Sequence, residues 1–153
     1  MQPRSNKRIK EMEEKKSLTK SISLPNDVAK VPELAEFVDG VCEEAGLDMP
    51  TTMQLNLAVE EAVVNVMDYA YPAGTEGEVL VDAKVEDGLW QIVITDHGAP
   101  FDPTAKAEVD TTLPAEQRKI GGLGIHLIRN IMDEVSYMRV GDSNVLTLKK
   151  KIQ

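Results

Sequence analysis

The chain alternates between two hydrophobic rhythms. The stretch SISL, Ser21 to Leu24, has period two and predicts a short strand. Pro25, Asn26 and Asp27 follow as a turn and a helix cap. From Val28 to Ala45 the period lengthens. Val31, Leu34, Ala35, Val38 and Val41 recur at helical spacing, and Gly46 is placed to stop the helix. The stretch DMPT, Asp48 to Thr51, opens a second helix, expected from about Thr51 to Tyr69 and closed by Pro72. Alternation returns in EVLVDAKV (Glu78 to Val85) and LWQIVIT (Leu89 to Thr95), joined by a hairpin turn at Glu86, Asp87 and Gly88. A segment without clear period runs from His97 to Gly122 and holds three prolines. Loops of that length in a compact domain are usually functional lids or disordered. GGLG, Gly121 to Gly124, then leads into an amphipathic helix, Ile125 to Met132. The segments Met132 to Val140 and Asn144 to Ile152 predict a closing hairpin around Gly141, Asp142 and Ser143.

The element order is therefore βααββ, a long loop, then αββ. Hairpin connections make the sheet mainly antiparallel, within a mixed α+β domain. The expected architecture is a two-layer sandwich with the helices on one face. Residues 1–19 read as a charged leader, and residues 20–153 as the folded domain.

The second helix breaks its own pattern. Gln54, Glu61, Asn65 and Asp68 fall close to one stripe among Leu55, Ala58, Val59, Ala62, Val63, Val66 and Met67. By spacing alone this is a solvent-facing stripe. The stripe is narrow, however, and asparagine is a poor interior helix residue. The sharper reading is the polar wall of a pocket. An asparagine carbonyl suits Mg²⁺ shared with phosphates, and a glutamate one turn earlier can accept a proton from a hydroxyl.

Two further places carry candidate chemistry. Asp96 ends an apolar strand, and Gly98 allows a sharp turn after it. A carboxylate there is either part of a plain D-x-G turn or an acceptor for an exocyclic amine such as adenine N6. Asp96 and His97 are strand-end neighbours and should point apart; His97 and His126 read as surface or structural residues. The glycines at Gly121, Gly122 and Gly124 precede a helix whose N–H groups could meet an anion. Arg118 and Lys119 stand just before them, as phosphate ligands or as a charged loop face.

Composition narrows the class. The 153 residues suit one domain with one sizeable core. No apolar run reaches the roughly 18 residues of a membrane span, and the basic start lacks the apolar segment of a signal peptide. Cys42 is the only cysteine, so no internal disulfide forms and the cytoplasm is the expected compartment. The net charge of −9 divides into +4 over residues 1–20 and −13 over the rest. An acidic body argues against a nucleic-acid binder.

Together, in order and spacing, Glu61-x-x-x-Asn65 on a helix, Asp96-x-Gly98 after a strand and Gly122-x-Gly124 at a helix start resemble the asparagine box and two glycine boxes of the GHKL ATPases, which have the Bergerat nucleotide-binding fold. Within that superfamily, EAVVN (Glu61 to Asn65), YAY (Tyr69 to Tyr71), DHGAPFDP (Asp96 to Pro103) and GGLGIHLI (Gly121 to Ile128) resemble the anti-sigma factor serine kinases, over roughly Ser21 to Ile152. The resemblance implies ATP and Mg²⁺ as cofactors. It implies Asn65 as metal ligand, Glu61 as general base, Asp96 as the adenine contact, Gly98 as pocket floor, and Gly122 and Gly124 as glycines passing the phosphates. It makes residues 99–121 an ATP lid bearing Arg118 and Lys119. The implied partners are an anti-sigma factor antagonist with an acceptor serine and a sigma factor, with a homodimer as an assembly. Departures are Tyr69, where a histidine is common, the adjoining Asp68, and Lys119-Ile120 directly before the glycines. The alternative functions are a nucleotide-binding module that sequesters a partner without phosphoryl transfer, a detached histidine-kinase catalytic domain, and a structural interaction domain.

Overall fold

The computed structural model describes residues 17–72, 74–105 and 121–152. Strand β1 (Leu18–Pro25) is longer than the alternation of SISL suggests, because its flanks gain backbone partners on β2 (Glu78–Glu86) over the full eight-residue register. Asp27 then caps a short 3-10 turn, Val28–Lys30, by accepting from the Ala29 amide at 2.9 Å. Pro32 sits in the first turn of helix α1 (Val31–Glu44), where its missing N–H costs nothing. The single helix expected from Val28 is therefore divided, and Gly46 ends it at φ 74°, as a left-handed stop.

Helix α2 (Met49–Tyr69) starts at Asp48, whose carboxylate accepts from the Thr51 amide at 2.8 Å. Strands β2 and β3 (Leu89–Asp96) form a hairpin whose two turn residues, Asp87 and Gly88, both have positive φ, at 52° and 75°. That geometry matches the strand twist. Helix α3 (Gly121–Ile131) and the hairpin of β4 (Glu134–Val140) and β5 (Ser143–Lys151) complete the described elements. The glycines expected to precede α3 form its first turn instead.

The five described strands lie in the order β1-β2-β3-β5-β4, and each neighbouring pair is antiparallel. The three helices cover one face. Val79, Val81, Ala83 and Val85 of β2, Trp90, Ile92 and Ile94 of β3, and Leu146 and Leu148 of β5 point toward them and are buried. Helix α2 lies centrally, packed between α1 and α3. Its buried face carries Leu55, Ala58, Val59, Ala62, Val63 and Val66. Burial of each large apolar side chain stabilises by about 1.5–3 kcal/mol, so this layer contact holds α2 rigidly. At one end of the sheet the inward phase changes character. The cross-strand row Leu24, Val79, Asp96, Asn144, Arg139 passes from aliphatic to polar. That polar end is where the candidate site begins.

Candidate active site

The C-terminal half of α2 supplies one wall. Asn65 is only 7% exposed, so it is not part of a solvent stripe. Glu61, one turn earlier, is half-buried. The start of α3 lies against both. A methyl group on Gly124 would stand 2.9 Å from Asn65 Nδ2 and 3.1 Å from Glu61 Oε2. The structure thus brings Glu61, Asn65 and Gly124 to one place, across 63 residues of sequence between first and last. Glycine lets α3 pack directly on the two polar side chains, where a methyl group would force their ends to shift. Gln54 and Asp68 are exposed and do not join this wall. Asp68 lines a separate cleft of about 940 Å³ with residues that include Asn26, Tyr71 and Glu76. The single stripe expected from spacing therefore divides along the helix. Ahead of Glu61, at the same four-residue interval, Met49, Met53 and Leu57 are exposed apolar residues.

The second wall is the end of β3. Asp96 is 1% exposed and its Oδ1 accepts from the Gly98 amide at 2.8 Å and from Asn144 Nδ2 at 2.9 Å. His97 points the other way, exposed, with Nδ1 2.9 Å from Ser143 Oγ. Gly98 packs directly on the end of α2, where a Cβ would run into the Ala70 carbonyl. The next amide, Ala99 N–H, donates to that same carbonyl at 2.7 Å. Ala70 lies five residues beyond Asn65, about 7.5 Å further along the helical path. The Asp96 and Gly98 end and the Asn65 and Gly124 end are thus held at successive levels of one helix.

The contacts of several supporting residues were not evident from the sequence. Tyr71, buried, donates its O–H to the Glu78 carbonyl at 2.7 Å and accepts from the His97 amide at 3.0 Å. Burial pushes its pKa up, and the His97 amide opposes that shift. Its ring occupies the space a side chain at Gly77 would need. Tyr71 therefore pins the start of β2 and the turn after β3 to the end of α2. Tyr69 stacks on Phe101, with ring centroids 5.5 Å apart. Asn144, 3% exposed, binds Asp96, the backbone of Ala99 and Phe101, and the Tyr137 hydroxyl. The available signal was a break in alternation: Asn144 shares its inward phase with Leu146 and Leu148. Arg118 and Lys119 lie outside the described residues, as do residues 106–120 of the expected lid and residues 1–16 of the leader. Gly122 is in the first turn of α3.

A metal cage made by protein alone is not present among the described residues, where no three His, Cys, Asp or Glu side chains converge. The residues fit a different arrangement. A single buried amide with a carboxylate one turn away suits Mg²⁺ that takes most of its oxygen ligands from phosphates and water.

Residues 24–150 match the family model described as histidine kinase-like ATPase domain. The serine-protein kinase RsbW of Listeria monocytogenes serovar 1/2a is 33% identical over 115 residues, covering 72% of this chain and 73% of the relative. The RsbW of Halalkalibacterium halodurans is 32% identical over 134 residues, covering 80% and 81%.

The chain belongs to the RsbW family of GHKL-type ATPase domains.

The RsbW of Bacillus pumilus is 33% identical over 119 residues, covering 69% of this chain and 74% of the relative. In solved structures, the RsbU and RsbW domains of Rv1364c from Mycobacterium tuberculosis give a TM-score of 0.64 over 88% of this chain and 32% of that longer one, at 16% identity. That likeness carries the fold, the Bergerat type. RsbW membership supports a serine-kinase or regulatory ATPase role and the ATP and Mg²⁺ binding typical of such domains. Among the described residues, no helix is long and apolar enough to cross a membrane.

Proposed function

We propose that this chain is an ATP-dependent protein serine kinase that transfers the γ-phosphoryl group to a serine of an anti-sigma factor antagonist. The observation that carries this reading is the packing of Gly124 over Glu61 and Asn65, which sets a carboxylate and a buried amide side by side at the mouth of α3. Membership of a family whose relatives are serine-protein kinases supports a protein serine as acceptor.

Bound ATP supplies the transferable phosphoryl group, and Mg²⁺ neutralises its charge. Asn65 would hold that metal through its amide oxygen. Glu61 orients the incoming serine hydroxyl and takes its proton as the oxygen bonds to the γ-phosphorus and the β,γ-bridging bond breaks. Asp96 accepts a hydrogen bond from the adenine amine and would meet a repelling carbonyl oxygen on guanine. Gly124 lets the start of α3 pack directly against Asn65 and Glu61, and the first-turn amides of α3 would supply donors to phosphate. Little covalent chemistry falls to the protein, so positioning and charge stabilisation dominate. The exposed Met49, Met53 and Leu57 give a protein acceptor an apolar footing near the base.

The test is a transfer assay with γ-labelled ATP, Mg²⁺ and a purified candidate antagonist. Label on a serine, lost with Glu61→Gln while ATP binding persists, is the expected result. Tight ATP binding by the unaltered chain with no label on any antagonist tested would replace the kinase with a sequestering module.

A further inference from the structure

We propose that Asn144 is a positioning residue for base recognition. Its amide fixes the plane of the Asp96 carboxylate, leaving one oxygen free to face the nucleotide, and it ties that orientation to the backbone just after β3. The proposal rests on the reading of Asp96 as the adenine contact.

Asp96 and Asn144 are direct cross-strand partners on β3 and β5, and both occupy the inward phase otherwise filled by Ile92, Ile94, Leu146 and Leu148. An isolated polar pair at that depth is costly unless every group is bonded. Asn144 meets that demand completely. Nδ2 donates to Asp96 Oδ1 at 2.9 Å and to the Ala99 carbonyl at 2.8 Å. Oδ1 accepts from the Phe101 amide at 3.1 Å and from the Tyr137 hydroxyl at 2.5 Å. An amide has two N–H donors and two acceptor lone pairs, so nothing is left for a ligand. Asn144 therefore acts through Asp96.

The consequence falls on the carboxylate. Asp96 Oδ1 holds two donors, Asn144 Nδ2 and the Gly98 amide at 2.8 Å. Among the described residues no donor reaches Oδ2. The terminal torsion of an aspartate is broad, so without restraint the carboxylate plane turns easily. With Oδ1 clamped, Oδ2 is the oxygen oriented for an exocyclic amine. The Gly98 amide alone is the ordinary bond of an Asp-x-Gly turn; Asn144 adds a second anchor from another strand.

The same planar amide holds Ala99 and Phe101, and Phe101 stacks on Tyr69. Carboxylate orientation and the path of the chain leaving β3 are thereby fixed by one side chain. Aspartate at 144 would set acceptor against acceptor and charge against charge. The site needs donors toward Asp96 and Ala99 together with acceptors toward Phe101 and Tyr137, and asparagine provides both.

The test compares Asn144→Thr with Asn144→Val in the full chain, by calorimetric titration with ATP and with GTP in the presence of Mg²⁺. The two replacements have nearly the same shape, but only threonine keeps a donor for Asp96 Oδ1. The valine variant is expected to lose about tenfold or more of the ATP-over-GTP affinity ratio, the scale of a bond to a charged group, and the threonine variant to retain most of it. Should the valine variant not fold, Asn144→Ser against Asn144→Ala makes the same comparison. Equal ratios in both members of a pair, whatever their melting temperatures, would overturn the proposal, since a purely structural role weakens both nucleotides together. No ATP preference in the unaltered chain would instead overturn the reading of Asp96, and this proposal with it.

Discussion

Adding a methyl group at Gly98 and adding one at Gly124 should cause different kinds of harm. At Gly98 the new carbon would meet the Ala70 carbonyl, a backbone atom that cannot step aside. Gly98→Ala is expected to cost about 1–3 kcal/mol by overpacking, measurable by denaturant unfolding. At Gly124 the neighbours are the side-chain ends of Asn65 and Glu61, at 2.9 and 3.1 Å. Those ends can move, and alanine favours a helix over glycine by roughly 0.5–1 kcal/mol. Gly124→Ala is expected to leave the melting temperature unchanged or slightly higher while weakening Mg²⁺-dependent ATP binding about tenfold or more. Equal losses of stability and binding in both variants would contradict the geometry. At this scale the sequence exposes residues that offend a local pattern. Glu61 and Asn65 interrupt an apolar helix and Asp96 ends an apolar strand, so each can be singled out by itself. Tyr71 does not stand out, and Asn144 shows only as a break in the alternation of β5. Their meaning lies in partners 26 and 48 residues away that only the folded sheet brings near.

At the level of elements, α2 is the part on which the site depends, because it carries Glu61, Asn65 and the Ala70 carbonyl along one rod. Its start is set by Asp48. The Thr51 side chain and amide both hold that carboxylate below its usual pKa. A depressed carboxylate stabilises the fold fully above the ordinary aspartate range, near 4, and loses that contribution as pH falls through the lower, native value. Asp48→Asn, which keeps a cap oxygen without the charge, is expected to lose that part of the acid dependence of melting below about pH 4. An unchanged pH profile would show that the cap is not charge-assisted. Element boundaries were less legible than element types. Pro32 splits the first expected helix after a 3-10 turn, and backbone pairing with β2 extends β1 beyond its alternating centre. The glycines at 121–124 read as a loop because glycine is a weak helix former, yet they start α3. At Gly124 the need for room over Asn65 outweighs that local propensity.

Taken whole, the described residues form one core between a five-stranded sheet and three helices, with the buried polar positions gathered at one end of that layer contact. The topology was readable because each turn is punctuated by its own residues, such as Asp87 and Gly88 with positive φ. Cys42 reports on the integrity of this core. Burial pushes its thiol up to about 11, with a hydrogen bond from Thr52 opposing and the charge of Asp39 reinforcing. The thiol is therefore neutral at physiological pH, and its contribution to stability is constant at neutral pH and declines only as pH rises toward that value. At pH 8 iodoacetamide should modify Cys42 far more slowly in the folded chain than in the unfolded one, by about a hundredfold or more. Similar rates would mean that the core between α1 and α2 opens readily. The nucleotide site itself is most directly tested by equilibrium binding of radiolabelled ATP to the unaltered chain, with Mg²⁺ and with the metal chelated. Saturable binding that requires Mg²⁺, is competed by ADP much better than by GDP, and is weakened by Asn65→Ala is the expected result. Failure of the unaltered chain to bind ATP in the presence of Mg²⁺ would contradict it outright.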